Sequence, residues 1–332
     1  MNMLLSVRNL KTYYRSGSSV VPAVDGVSFH LRKGEVLGIV GESGCGKSTV
    51  ARSLINLLDK SNARIEGGEV LFHGEDLMKQ SRKAWSRIRG KKISMIFQNP
   101  QSALNPVYTV GDQIAEALTV HQKMSRKEAR DRVVELLKLV GIPEPESRLT
   151  NYPHEMSGGM QQRAMIAIAL ACHPEIVIAD EPTTALDVTI QAQILALMDR
   201  IRAQFQMGMI LISHNMGIVA EMCDRIMVMY GGVVVEEGET AAIFAAPSHP
   251  YTKGLLASIP SLDEDRDTLY AIPGSVPRLT APVGHCRFAG RCAYAKSKCW
   301  ESEPPLIEGE NGHRSRCWLM EAPDRGHDDE RE

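Results

Sequence analysis

No stretch of this 332-residue chain approaches the roughly 20 consecutive apolar residues that a membrane-crossing helix requires. Any service to a membrane must therefore pass through a partner that spans it. The opening segment, Met1 to Leu10, is short, carries Arg8 and lacks a small-residue cleavage site, so it does not read as a secretory signal. The chain is accordingly expected in the cytosol, where thiols stay mostly reduced. Net charge is also missing: the formal value of -2 provides no global basic field of the kind that draws proteins to nucleic acid. No internal duplication appears, so one chain supplies one unit. Hydrophobic residues at 43% and charged residues at 23% suit an ordinary globular protein with one large domain and a smaller one.

The seven cysteines are unevenly spread. Cys45, Cys172 and Cys223 are scattered, whereas Cys286, Cys292, Cys299 and Cys317 crowd into the last fifth of the chain. In a reducing compartment that clustering points to a metal site rather than a disulfide framework.

From the N-terminus to about residue 245, short apolar runs alternate with helical stretches. Val36–Val40, Ile176–Ala179 and Met209–Ile212 each end in polar residues followed by a helical pattern, which predicts an α/β domain with buried strands. Leu4 to Leu31 alternates more and reads as an antiparallel β layer. Between residues 99 and 155, Gly111–Val120 and Ser125–Val140 read as helices of an inserted subdomain, bracketed by prolines. After Pro247 the prolines recur (Pro250, Pro260, Pro273, Pro277, Pro282), and residues 246–332 read as a loop-rich extension that ends in a charged, disordered stretch, 324–332.

Gly41-Glu42-Ser43-Gly44-Cys45-Gly46-Lys47-Ser48-Thr49 fits G-x-x-x-x-G-K-[ST], after a strand and at the start of a helix. Glycines there let backbone N–H groups turn inward to cradle phosphate oxygens, and the helix N-terminus adds favourable charge. Lys47 is expected to reach the β- and γ-phosphates of ATP and Ser48 to ligate Mg²⁺. The apolar run 176–179 then delivers Asp180 and Glu181 at a strand end, where ligands gather in open α/β sheets. Asp180 is the candidate Mg²⁺ holder and Glu181 the candidate base for the attacking water.

Further segments carry a resemblance to a known family. Met156-Ser157-Gly158-Gly159-Met160-Gln161-Gln162 resembles the ABC signature sequence, with Met156 for the usual Leu and Met160 for the usual first Gln. Gln98 in Phe97-Gln98-Asn99-Pro100 looks like the Q-loop glutamine, Ala185-Leu186-Asp187 like the D-loop, and His214 like the switch histidine. Tyr14, with Tyr13 as fallback, sits where the family places an aromatic on adenine. Segments 180–194 and Ser248-His249-Pro250-Tyr251-Thr252-Lys253 are similar to the ATP-binding subunits of dipeptide, oligopeptide and nickel importers. Pro273-Gly274-Ser275-Val276-Pro277 and the tail cysteines add a likeness to the D-type subunit of peptide importers.

The resemblance implies an α/β P-loop ABC ATPase with an antiparallel β layer, a helical insert and a loop-rich, cysteine-containing C-terminal extension. It implies that Glu181 and His214 act in hydrolysis, that Gln98 senses Mg²⁺ and couples to the membrane partner, and that Ser157, Gly158 and Gly159 grip the γ-phosphate on a facing subunit. The implied partners are a second, F-type ATPase, two transmembrane permeases and an extracytoplasmic substrate-binding protein, with this subunit peripheral on the cytoplasmic membrane face. Gaps of five, six and seventeen residues between the tail cysteines lack the tight Cys-x-x-Cys pairs typical of structural zinc. Spacing alone leaves open a [4Fe–4S] cluster, zinc with His285 or His313 as substitute ligands, and free or paired thiols; the resemblance favours iron–sulfur. Two other classes compete: an ABC ATPase of DNA repair or translation, for which a second ATPase unit or a long coiled coil is lacking, and a metal-sensing regulator, which would not need a full catalytic set.

Overall fold

The computed structural model describes residues 3–17, 19–184, 186–259, 270–277, 279–309 and 312–321. The stretch 324–332, Pro260, Ser18 and Ala185 of the Ala185-Leu186-Asp187 segment lie outside them.

Two sheets organise the molecule. The smaller is antiparallel, with order β2-β1-β4-β5. Its strands are β1 (Met3–Ser16), β2 (Ser19–Arg32), β4 (Ala63–Phe72) and β5 (Glu75–Asp76). The larger has order β11-β12-β10-β9-β3-β8-β7-β6. Its parallel part comprises β9 (Arg225–Tyr230), β3 (Val36–Val40), β8 (Gly208–Ser213), β7 (Ile176–Asp180) and β6 (Ile93–Ile96). The antiparallel β10 (Val233–Glu239), β12 (Arg314–Ser315) and β11 (Ile307–Glu308) extend one edge.

The parallel strands are apolar on both faces because both faces are covered. Val36, Val40, Val177, Ala179, Met209 and Leu211 pack with the helices. Their alternates Leu37, Ile39, Ile176, Ile178, Ile210 and Ile212 pack against the antiparallel sheet and helix Lys47–Leu54. A strand's two-residue period is thus divided between two cores. At Gly38 a Cβ would lie 2.9 Å from the Cys223 sulfur, so the glycine lets helix Met216–Met222 approach the sheet.

The insert folds as helices Val110–Gln122 and Arg126–Leu139, which pack on each other and on Gly158–Leu170. Thr109 caps the first through the Asp112 N–H, and Ser125 with Glu128 forms a capping box on the second. Ile114, Leu118, Val133 and Leu136 form the buried face of the pair. Helix Gly158–Leu170 leads from this insert to β7 and is buried almost all round, linking the insert to the parallel sheet.

The extension is more integrated than its proline content predicts. Pro250 opens helix Pro250–Ala257 at its first turn, where the missing N–H costs nothing, and His249 Nδ1 accepts from the Tyr251 N–H at 3.0 Å. β11 and β12, each only two residues long, join the main sheet at β10. The anchor is Glu236 of β10, which is fully buried. Its carboxylate accepts from the N–H groups of Ser248 at 2.6 Å and His249 at 3.0 Å, and meets His313 Nε2 at 2.6 Å. Glu236→Ala leaves those donors buried without an acceptor. It should cost about 2–4 kcal/mol in urea unfolding and open the chain beyond Ala245 to limited proteolysis while residues 3–245 stay resistant.

Candidate active site

Three neighbouring parallel strands end on one edge of the main sheet. β3 leads into the Gly41–Thr49 loop, β8 into His214, and β7 ends at Asp180 just before Glu181. In the order β3-β8-β7, Val40 pairs with Ser213 and Asp180 with Ile212, so the three ends are level.

The loop backbone is shaped by its glycines. Gly41, Gly44 and Gly46 all have positive φ, and Cβ atoms at Gly41 and Gly46 would lie 2.3 Å from the Met229 carbonyl oxygen and 2.1 Å from that of Ala23. A Cβ at Gly44 would instead meet nothing within 4 Å. Lys47 is buried, and its ammonium donates to the carbonyls of Gly41 at 2.7 Å and Glu42 at 3.0 Å. Cys45 is buried beneath the loop, and desolvation holds its thiol above the ordinary range. Ser48 Oγ donates to Asp180 Oδ1 at 2.9 Å, which joins the helix start to the end of β7. Thr49, on the same first turn of helix Lys47–Leu54, gives its carbonyl to Ser53.

The two adjacent carboxylates sit in different surroundings. Asp180 is buried, and burial together with the neighbouring Glu181 charge raises its pKa. Burial also acts upward on Glu181, but hydrogen bonds from His214 and Thr184 and the His214 and Lys47 charges outweigh it, and its pKa falls below the ordinary carboxylate range. Glu181 adopts positive φ, and its N–H donates to the Ile212 carbonyl at 3.0 Å. Its side chain accepts from Gln98 Nε2 at 2.7 Å and Thr184 Oγ1 at 3.0 Å and meets His214 Nδ1 at 3.2 Å. Gln98, Glu181 and His214, far apart in sequence, therefore form one connected set beside Ser48 and Asp180.

Ser157 stands apart from this set, at the N-cap of helix Gly158–Leu170. Its hydroxyl accepts from the Met160 N–H at 3.3 Å, and both Ser157 and Gly158 are exposed. In β1, Tyr13 donates its hydroxyl to Asp25 at 2.8 Å; burial and that carboxylate push its pKa up to about 12. Tyr14 projects to the other side of the strand and is half-buried.

In the extension, Cys286, Cys292, Cys299 and Cys317 line one small cavity. Backbone N–H groups of Tyr294 and Lys296 approach the sulfurs of Cys292 and Cys299 at 3.4 and 3.5 Å. Burial pushes the Cys286 thiol up to about 11 and also raises Cys292 and Cys317. Among the described residues, however, no group of three or more His, Cys, Asp or Glu side chains is placed to hold a metal ion. His313 is engaged by Glu236, and His285 stacks on Trp300 with ring centroids 5.8 Å apart.

Several contacting residues carry no motif of their own. Glu42 of the phosphate loop pairs with Arg291, and Arg287 pairs with Asp25. Only the clustering of arginines among the tail cysteines hints at them in the sequence.

Known proteins share these features. The ABC transporter family profile matches residues 24–184, and the profile described as oligopeptide/dipeptide transporter, C-terminal region, matches residues 235–299. A probable peptide ABC transporter ATP-binding protein of Sinorhizobium fredii is 51% identical over 96% of this chain and 95% of its own length. The oligopeptide transport ATP-binding protein AppD of Bacillus subtilis is 49% identical over 97% of this chain and 98% of its own. Among solved structures, a dimeric ATP-binding cassette in a post-hydrolysis state with ADP and Pi superposes with TM-score 0.65 at 28% identity, covering 71% of this chain and 99% of that one.

Gly46→Ala should push the loop off the Ala23 carbonyl, lowering the melting temperature by several degrees and weakening ATP binding by more than about tenfold, measured calorimetrically. Lys47→Ala should weaken binding comparably by removing the phosphate-facing charge.

Proposed function

The chain belongs to the ATP-binding subunits of ABC transporters, and from that premise we propose that it drives import of dipeptides or oligopeptides across the cytoplasmic membrane by hydrolysing ATP. The observation that carries this reading is the convergence of Ser48, Asp180, Gln98, Glu181 and His214 at the ends of adjacent parallel strands.

The phosphate loop and Lys47 receive the β- and γ-phosphates of ATP, and Tyr14 offers its ring to adenine. Ser48 and Asp180, already hydrogen-bonded to each other, are oxygen donors suited to a hard divalent cation, with Gln98 as a third. Mg²⁺ bound there neutralises the charge that develops on the phosphate oxygens. Glu181, ionised at neutral pH, orients a water toward the γ-phosphate and takes its proton. Leaving Gln98 and His214 frees its carboxylate for that task, and His214 turns to the γ-phosphate.

Ser157 and Gly158 are exposed and Gly159 is half-buried at a helix start, which suits a grip on the γ-phosphate of ATP held by a facing subunit. The facing subunit is a second ATPase of the F type. Closure is carried through Gln98 and the 99–155 insert to two permeases, to which a binding protein delivers substrate outside. None of the described helices is long and apolar enough to cross a membrane, which suits a peripheral subunit on the cytoplasmic face.

On this reading residues 1–245 form the engine and 246–332 an extension. Its four tail thiols line one cavity, and four thiolates are the ligand set of a [4Fe–4S] cluster, the occupant this reading assigns in preference to one zinc ion. The N–H groups of Tyr294 and Lys296 aimed at the sulfurs of Cys292 and Cys299 suit these residues as thiolate ligands.

Glu181→Gln should lower ATP turnover by about 10²- to 10⁴-fold while ATP binding persists, measured as phosphate release and calorimetric affinity. Anaerobically purified chain should contain about four irons, and Cys292→Ser should lose them; stoichiometric zinc without iron refutes the cluster. Membrane vesicles holding the complete transporter should accumulate labelled dipeptide with ATP, and accumulation of nickel instead would move the substrate class.

A further inference from the structure

The extension reaches back to the phosphate loop at one residue, Glu42, and holds it at two points. Tyr251, fully buried in helix Pro250–Ala257, places its hydroxyl oxygen 2.8 Å from the Glu42 N–H and accepts from it. Arg291 donates to the Glu42 carboxylate with both terminal nitrogens, Nη1 to Oε2 at 2.7 Å and Nη2 to Oε1 at 3.1 Å. This fork pairing is the strong geometry of a guanidinium with a carboxylate. The partners lie 249 residues apart.

The Arg291 side chain is itself fixed. It is almost fully buried and donates to the carbonyls of Pro273 at 2.8 Å, Ile272 at 3.2 Å and Gly274 at 3.3 Å. Its guanidinium lies 5.7 Å from the centroid of the Tyr230 ring at the end of β9. The residue next to it is Cys292, and the short turn Ala289–Arg291 runs between Cys286 and Cys292. One side chain thus joins the cysteine-bearing turn to the second residue of the phosphate loop.

Glu42 matters to the loop because its own carbonyl accepts from Lys47 at 3.0 Å. Its backbone is therefore held by Tyr251 on one side and Lys47 on the other, and its carboxylate is neutralised by Arg291. Unpaired, that carboxylate is a negative charge beside the place where a triphosphate binds.

We propose that the cysteine-bearing extension is a positioning element of the ATP site, in which Arg291 and Tyr251 hold Glu42, and through it the phosphate loop, in the form that receives nucleotide. This rests on the ATP-binding reading of the loop. Failure of wild-type chain to bind Mg–ATP would overturn that reading, whereas the variants below test the inference within it.

The experiment is calorimetric titration of the full-length chain with Mg–ATP. Arg291→Ala should raise Kd about tenfold, the loss of a charge-assisted hydrogen-bond pair. In the complete transporter KM for ATP should rise while kcat moves by less than about twofold. Because Arg291 acts through Glu42, adding Glu42→Gln to Arg291→Ala should cause no further loss. Wild-type affinity in Arg291→Ala, or losses that add, overturns the proposal. Should Arg291→Ala fail to fold, Glu42→Gln decides alone: faster amide hydrogen exchange across residues 41–46 supports the clamp, and unchanged exchange refutes it.

Discussion

The parallel pairing of β3, β8 and β7 is the constraint on which the rest depends. Each strand buries apolar side chains on both faces, so its register is locked by two cores at once. A slip of one residue would exchange the Leu37 and Ile39 face with that of Val36 and Val40, and would misplace the loop against Asp180. With register locked, three chemically different ends emerge level: a glycine loop with Lys47 and Ser48, a histidine, and a pair of carboxylates. β8 lies between the other two, which is why His214 meets Glu181.

The charged groups of the site are partnered within it. Lys47 is turned onto the loop carbonyls, Ser48 onto Asp180, and Glu181 onto Gln98, Thr184 and His214. Each of these contacts uses a group that the proposed binding and chemistry require. The two carboxylates diverge. Burial and the Glu181 charge raise Asp180, while hydrogen bonds from His214 and Thr184 and the His214 and Lys47 charges outweigh burial and lower Glu181. A lowered carboxylate is ionised at neutral pH, as a proton acceptor must be.

Much of this was legible in the sequence because its signals are local. Val36–Val40 and its glycine loop, the apolar run ending at Asp180, and the helices of the insert each announce themselves within about a dozen residues. Boundaries were less sharp: the sequence shows where the helix after the phosphate loop starts but not that it ends at Leu54. Tyr14, with Tyr13 as fallback, rested on resemblance alone, and the structure adds that the Tyr13 hydroxyl donates to Asp25. The extension was least legible. Two-residue strands have no periodicity to detect, and Glu236 in an apolar run gives no hint that it organises Ser248, His249 and His313. Only long-range packing reveals that Arg287 and Arg291 face Asp25 and Glu42.

The central claim, an ATP site completed by a second subunit, is tested most directly by vanadate trapping. Vanadate replaces the leaving phosphate beside Mg–ADP, and irradiation cleaves the backbone where it touches protein. The complete transporter should be cut both within the Gly41–Thr49 loop and at Ser157. Cleavage confined to the loop, with Ser157 untouched, would contradict the shared site.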